Sequence, residues 1–137
     1  MNHPHDLTVV ITVLALAIFI VTAMRVGGAR AKHGVAAPAT TGHEIFERHF
    51  RVQMNTLEQL VLFLPALWLW GIYWGELWST ILGAIWIVGR IIYMVSYVAE
   101  PKRRSAGFGL TFFPSIILLL GDLWGAIHAM IVTGSPW

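Results

Sequence analysis

The chain has no cysteine and little charge. Without a thiol it can form neither a disulfide nor a thiolate metal site, so any sulfur chemistry must come from a bound small molecule. Nine Lys and Arg and seven Asp and Glu in 137 residues are too few to cover a soluble domain of this size, which leaves roughly a third of its chain surface facing water. Alternating strand patterns are also missing, which excludes a membrane barrel. Neither terminus carries a cation. The first apolar run therefore lacks the basic flank of a secretory signal and reads as a retained helix.

What is present is apolar: 57% hydrophobic residues and seven Trp. Leu7–Met24, Gln59–Gly75 and Ser105–Gly121 carry no charge, and Leu77–Ala99 carries only Arg90. A spanning helix needs about 20 mostly apolar residues, so each stretch can cross a bilayer once. The expected fold is all-α, an integral membrane four-helix bundle in one domain over 1–137, with helices at about 7–33, 43–74, 77–99 and 106–132. Pro65 and Pro114 are expected to bend helices 2 and 4.

The cations set an orientation. Arg25, Arg30, Lys32, Arg48 and Arg51 surround the first connection, and Arg90, Lys102, Arg103 and Arg104 the third. The second connection offers only Glu76. By the positive-inside rule both basic connections are cytoplasmic and both termini lie outside; the short chain without targeting motifs suits a bacterial inner membrane. Trp68, Trp70, Trp74, Trp78 and Trp137 form an expected aromatic belt at the outer interface. Gly121 and Gly125 read as a close-packing face, and Asp122 as a cap or a cross-helix partner. The six His, including His3 and His5 near the start, share no metal-ligand spacing, and no metal site is expected.

Two polar stripes carry the chemistry. Glu44, Arg48, Arg51, Asn55 and Glu58 are spaced 4, 3, 4 and 3, which puts them on one helical face. Arg90, Tyr93, Tyr97 and Glu100 repeat the pattern on helix 3. Neither stripe can face lipid, where a charge at mid-bilayer costs at least about 2.5–3.5 kcal/mol. One reading is a structural polar zipper, with Arg90 paired to Glu58 or another acid and the tyrosines as interfacial aromatics. The other is a pocket for an anionic, peptide-like molecule, because arginines suit carboxylates and a buried Glu suits an ammonium.

The run Phe46-Glu47-Arg48-His49-Phe50-Arg51-Val52-Gln53-Met54-Asn55-Thr56-Leu57-Glu58, with Trp86–Tyr93, Tyr97 and the basic Glu100–Arg104 turn, resembles the signature of the MAPEG family, the membrane-associated proteins in eicosanoid and glutathione metabolism. The similarity covers nearly the whole chain and leans toward the branch of microsomal glutathione transferases and leukotriene C4 synthases. It implies a homotrimer that binds glutathione as co-substrate between adjacent subunits. Arg51, Asn55, Glu58, Tyr93 and Tyr97 match family glutathione contacts, joined by Arg30 and Gln53. Arg104 matches the arginine that holds the thiolate, with Arg103 its neighbour should the register slip. The chain departs at Gln59, where the leukotriene synthase pattern has Tyr, and at Ala31, where it has a second Arg. The implied partners are glutathione, a lipophilic electrophile or lipid hydroperoxide, and membrane lipids, with no nucleic acid. The expected activity is glutathione transfer to lipophilic electrophiles, with lipid-hydroperoxide peroxidase activity as a companion. The alternatives are a non-catalytic lipid-binding scaffold, or a small transporter that uses Glu58 as its ion-coupled site.

Overall fold

The structure, a computed structural model, describes residues 5–134; His3 and Trp137 lie outside them. Four helices follow in order: α1 (Asp6–His33), α2 (Glu44–Trp74), α3 (Glu76–Ala99) and α4 (Ser105–Thr133). Each is long and apolar enough to cross a membrane, and the expected all-α four-helix bundle is what the chain forms.

Local chemistry explains where the helices stop. Gly34 takes the left-handed conformation (φ 67°) after α1, and its N–H donates to the Arg30 carbonyl. His43 caps α2, its Nδ1 accepting from the Ile45 N–H at 3.2 Å. Gly75, at φ 76°, is the whole connection between α2 and α3. Glu76, at the start of α3, accepts from the first N–H groups of α1, at 3.2 Å from Leu7 and 3.5 Å from Thr8. A carboxylate there also complements the positive end of the α1 dipole. The basic Pro101–Arg104 segment is a single 3₁₀ turn that leads straight into α4. Pro65 and Pro114 lie inside helices that continue past them.

α1 packs on α2 and α3, and α4 packs on the same two helices. Ala15, Phe63, Leu67, Trp86 and Leu118 make the centre of the core. Phe63 stacks on Trp86 with ring centroids 4.4 Å apart and planes 6° apart. The outward faces are apolar instead: Val13, Ile20, Val61, Ile72, Leu120 and Ile131 are all exposed. Such a continuous apolar exterior belongs in lipid, and the chain is an integral membrane protein.

Small residues let α4 close on its neighbours. Gly107 lies directly against the Tyr93 backbone, and a Cβ at Gly89 would come within 2.5 Å of the Leu110 Cβ. At the other end of the bundle Gly121 receives the Trp70 ring and Gly125 the Tyr73 ring, so the expected close-packing face is present. Trp70 thus points into the bundle, while Trp68, Trp74 and Trp78 are exposed as a belt requires. Asp122 corrects its expectation. It is buried, and among the described residues neither carboxylate oxygen has a hydrogen-bond partner, because the α2 face opposite offers aromatic rings rather than cations.

The packing makes a prediction with an internal control. A methyl at Gly107 must push Tyr93 away, whereas one at Gly109 meets only the Phe113 ring at 3.7 Å. Overpacking of this kind costs about 1–3 kcal/mol, and removing a mid-helix glycine returns about 0.5–1 kcal/mol. Thermal melts in detergent should show Gly107→Ala clearly below wild type and Gly109→Ala equal to it or above. Equal melting points for the two variants would contradict the tight α3–α4 contact.

Candidate functional site

The polar stripe of α2 divides its work. Arg48 reaches across to α3, where its Nη1 donates to the Val98 carbonyl at 3.0 Å and the Ala99 carbonyl at 3.1 Å. Its Nη2 pairs with Glu44 one turn earlier. Those carbonyls are among the last of α3 and have no partner inside the helix. Arg48 therefore caps α3 and fixes the start of the 3₁₀ turn behind it. The sequence pattern put Arg48 on the right face but gave no sign of this role.

Further along the stripe Arg51 Nη1 stands 3.6 Å from Glu58 Oε1, and Asn55 Nδ2 donates to Glu58 Oε2 at 3.4 Å. Both side chains of the ion pair are about half exposed, at 55% and 53%. A pair so wet contributes little to stability, and either member can exchange its partner for a ligand group. The Asn55 Oδ1 is buried and has no hydrogen-bond partner among the described residues.

α3 supplies the opposite wall. Tyr93 is buried and stacks on Tyr97, with ring centroids 5.4 Å apart. Arg90 lies on the Tyr93 ring, its Cζ 4.1 Å from the centroid. Its guanidinium has no ion pair and no hydrogen bond among the described residues. The expected pairing of Arg90 with an acid is not observed, because Glu58 is engaged with Arg51 and Asn55 on an exposed face.

These walls enclose a cavity of about 580 Å³, lined by Arg51, Asn55, Tyr93, Arg104, Ser105, Phe108, Gly109, Phe112 and Phe113. Of the residues singled out from sequence, Arg51, Asn55, Tyr93 and Arg104 meet there. Glu58 stands behind them through Arg51 and Asn55, and Tyr97 through Tyr93. Arg103 instead pairs with Glu100 at 2.9 Å, so Arg104 is the arginine of the turn that reaches the cavity.

Arg30 and Gln53 do not reach it within one chain. The Arg30 Nη1 donates to the Ala39 carbonyl at 2.7 Å, and its Cζ sits 4.6 Å over the Phe46 ring. Gln53 lies on another face of α2, half-buried. Sequence reading missed Phe108, Phe112 and Phe113, which carry the apolar part of the wall. Their only signal was a phenylalanine repeat at helical spacing just after the basic turn.

A second cavity, also about 580 Å³, runs between α3 and α4 along Leu82, Ile85, Leu110, Pro114 and Ile117, and shares Ser105, Gly109 and Phe113 with the first. A polar hollow at the basic end of the bundle thus continues into an apolar groove on the lipid-facing side.

Four membrane-spanning helices with a cationic hollow at one end define the class: a small four-helix membrane protein with a polar cavity at the basic end of its bundle. Residues 8–124 match the MAPEG family, and the chain belongs to it. It is 51% identical over 113 residues to an uncharacterized protein of Synechocystis, covering 82% of each chain. It is 40% identical to microsomal glutathione S-transferase 2 of Homo sapiens, over 74% of this chain and 69% of that one. With leukotriene C4 synthase of Cavia porcellus it shares 33% identity over 70% of this chain and 64% of the relative.

The cap made by Arg48 has a measurable consequence. Arg48→Ala removes two charge-assisted hydrogen bonds, which contribute about 1.5–3 kcal/mol each where well shielded. Hydrogen exchange should show faster exchange of the amides from Ser96 to Arg104, with α1 unaffected. Unchanged protection of that segment would mean the cap holds nothing.

Proposed function

We propose that the protein is a membrane-bound glutathione transferase, working as a homotrimer with the cavity facing the cytoplasm of a bacterial inner membrane. The observation that carries this reading is the meeting of Arg51, Asn55, Tyr93 and Arg104 around one hollow, in a chain whose relatives include a microsomal glutathione S-transferase.

The chemistry of the donors fits the tripeptide. Glutathione brings two carboxylates, an ammonium and a thiol. Arg51 suits a carboxylate and Glu58 the ammonium. The unsatisfied Asn55 Oδ1 is an acceptor waiting for an N–H donor. Tyr93 and Tyr97 offer hydroxyls along the other wall. Arg30 and Gln53 lie away from the cavity of their own chain, and in the proposed trimer we assign them to the cavity of a neighbouring subunit.

Arg104 holds the sulfur. A free thiol has a pKa near ~8.5, so only a few per cent is thiolate at neutral pH. Lowering that pKa by two units takes about 2.7 kcal/mol of differential stabilisation. A guanidinium about 3–4 Å away in a partly desolvated site supplies energy of that order. The thiol proton leaves to solvent through the exposed basic turn, and the thiolate forms a C–S bond with the electrophilic carbon. An aryl halide expels its halide to water. An enal breaks its C=C π bond, moves that electron pair toward the carbonyl oxygen and takes a proton from solvent. The second substrate is lipophilic: its tail lies in the α3–α4 groove, and its reactive carbon crosses Gly109 to meet the sulfur.

Two electrophiles test this reading, a small aryl halide and a long-chain enal. Wild type should conjugate both to glutathione. Arg104→Ala should lose about 20–30-fold in turnover with either, the loss expected from a two-unit rise in thiol pKa at neutral pH. Gly109→Leu, which fills the sill between the cavities, should lose about tenfold with the enal alone. A wild-type protein that binds glutathione but conjugates neither compound would count against transfer, and one that does not bind glutathione would favour a scaffold.

A further inference from the structure

Arg90 is the one charged side chain that is completely buried among the described residues, with 0% exposure, and its Nε, Nη1 and Nη2 all lack hydrogen-bond partners. No element around it brings a counter-charge. α1 carries no charge between Leu7 and Met24, and α4 none between Ser105 and Gly121. On α2, Phe63 stacks on Trp86, and Val52 clusters with Tyr93. This antiparallel register sets α2 residues 55–59 level with Arg90, and the buried ones among them, Asn55, Thr56 and Gln59, are neutral. Glu58 and Arg51 face the exposed side as a pair. On α3 the neighbours are rings: Tyr93 at 4.1 Å and Trp86 at 6.0 Å.

An isolated buried cation is costly, and replacing such a group by an apolar one is often neutral or stabilising. The bundle keeps it nonetheless, directly behind a residue that lines the cavity. The Tyr93 ring is contacted by the Arg90 guanidinium and stacks on the Tyr97 ring, and Gly107 lies against its backbone. The Arg90 charge, unneutralised and shielded from water, acts through the wall on whatever occupies the hollow.

We propose that Arg90 is a positioning residue for the site, a fixed internal cation that clamps the Tyr93 ring and biases the cavity toward an anionic sulfur, at the expense of the bundle's own stability. This rests on the transferase reading above. Arg104 and Arg51 border the cavity itself; Arg90 never touches the ligand and works from behind Tyr93.

The test separates charge from packing by measuring melting temperature and the pH midpoint of the glutathione thiolate absorbance on the same variants. Arg90→Met keeps the length of the side chain and removes its charge. It should melt at or above the wild-type temperature, while the thiolate midpoint rises by about one unit, a tenfold weaker acid. Arg90→Lys keeps the charge and should leave the midpoint near that of wild type. An unmoved midpoint in Arg90→Met, with a clear wild-type signal, overturns this inference alone. A lower melting temperature in Arg90→Met shows a structural strut and also overturns it. Should Arg90→Met fail to fold, that too marks a strut. No thiolate signal in wild type removes the transferase reading and this inference together.

Discussion

In hydrocarbon a charged side chain costs at least about 2.5–3.5 kcal/mol even on lenient insertion scales, and the placement of nearly every polar residue in this chain follows from that cost. Eight of the nine cations lie at the basic end of the bundle, on the last turns of α1, the first turns of α2 and the 3₁₀ turn before α4. The ninth, Arg90, is enclosed completely. Arg51 and Asn55 of the α2 stripe and Tyr93 of the α3 stripe border one hollow with α4, while Glu58 pairs with Arg51 on the exposed side. The site is where the membrane leaves polar groups room to go.

The same constraint explains the role of small residues. Lipid gives no hydrophobic drive for helix association, so close contact must come from shape. Gly89 against Leu110 and Gly107 against Tyr93 bring α3 and α4 together, while Gly121 and Gly125 accept the aromatic rings of α2. Gly109 lies between these contacts and carries no such load. Its small size leaves the polar cavity open to the apolar groove instead. Glycines on one helix thus close the fold at some levels and open the site at another.

Much of the fold was legible because charge-free length and helical spacing are strong signals in a membrane chain. Four helices, the shared face of Arg51, Asn55 and Glu58, and the matching face of Arg90, Tyr93 and Tyr97 all followed from spacing alone. What spacing does not encode is the partner of each group. Arg48 looks the same as Arg51 in the stripe, yet it caps α3 because the α3 carbonyls end beside it. One reading of the sequence pairs Arg90 with an acid, and Asp122 reads as a cap or cross-helix partner. Neither side chain has a hydrogen-bond partner among the described residues, because neutral or aromatic residues lie opposite them. Phe108, Phe112 and Phe113 were hidden among apolar residues that looked lipid-facing. Arg30 and Gln53, drawn in by family resemblance, lie away from the cavity, and one chain alone offers nothing to bring them there.

The central claim is that the cavity makes the glutathione sulfur anionic and that Arg104 is the group that does so. The most direct measurement is an ultraviolet difference spectrum at neutral pH, with glutathione titrated into detergent-purified wild type and Arg104→Ala. No electrophile needs to be chosen. A saturable thiolate absorbance in wild type that disappears in the variant is the predicted result. A folded wild-type protein that binds glutathione without any thiolate absorbance would contradict it.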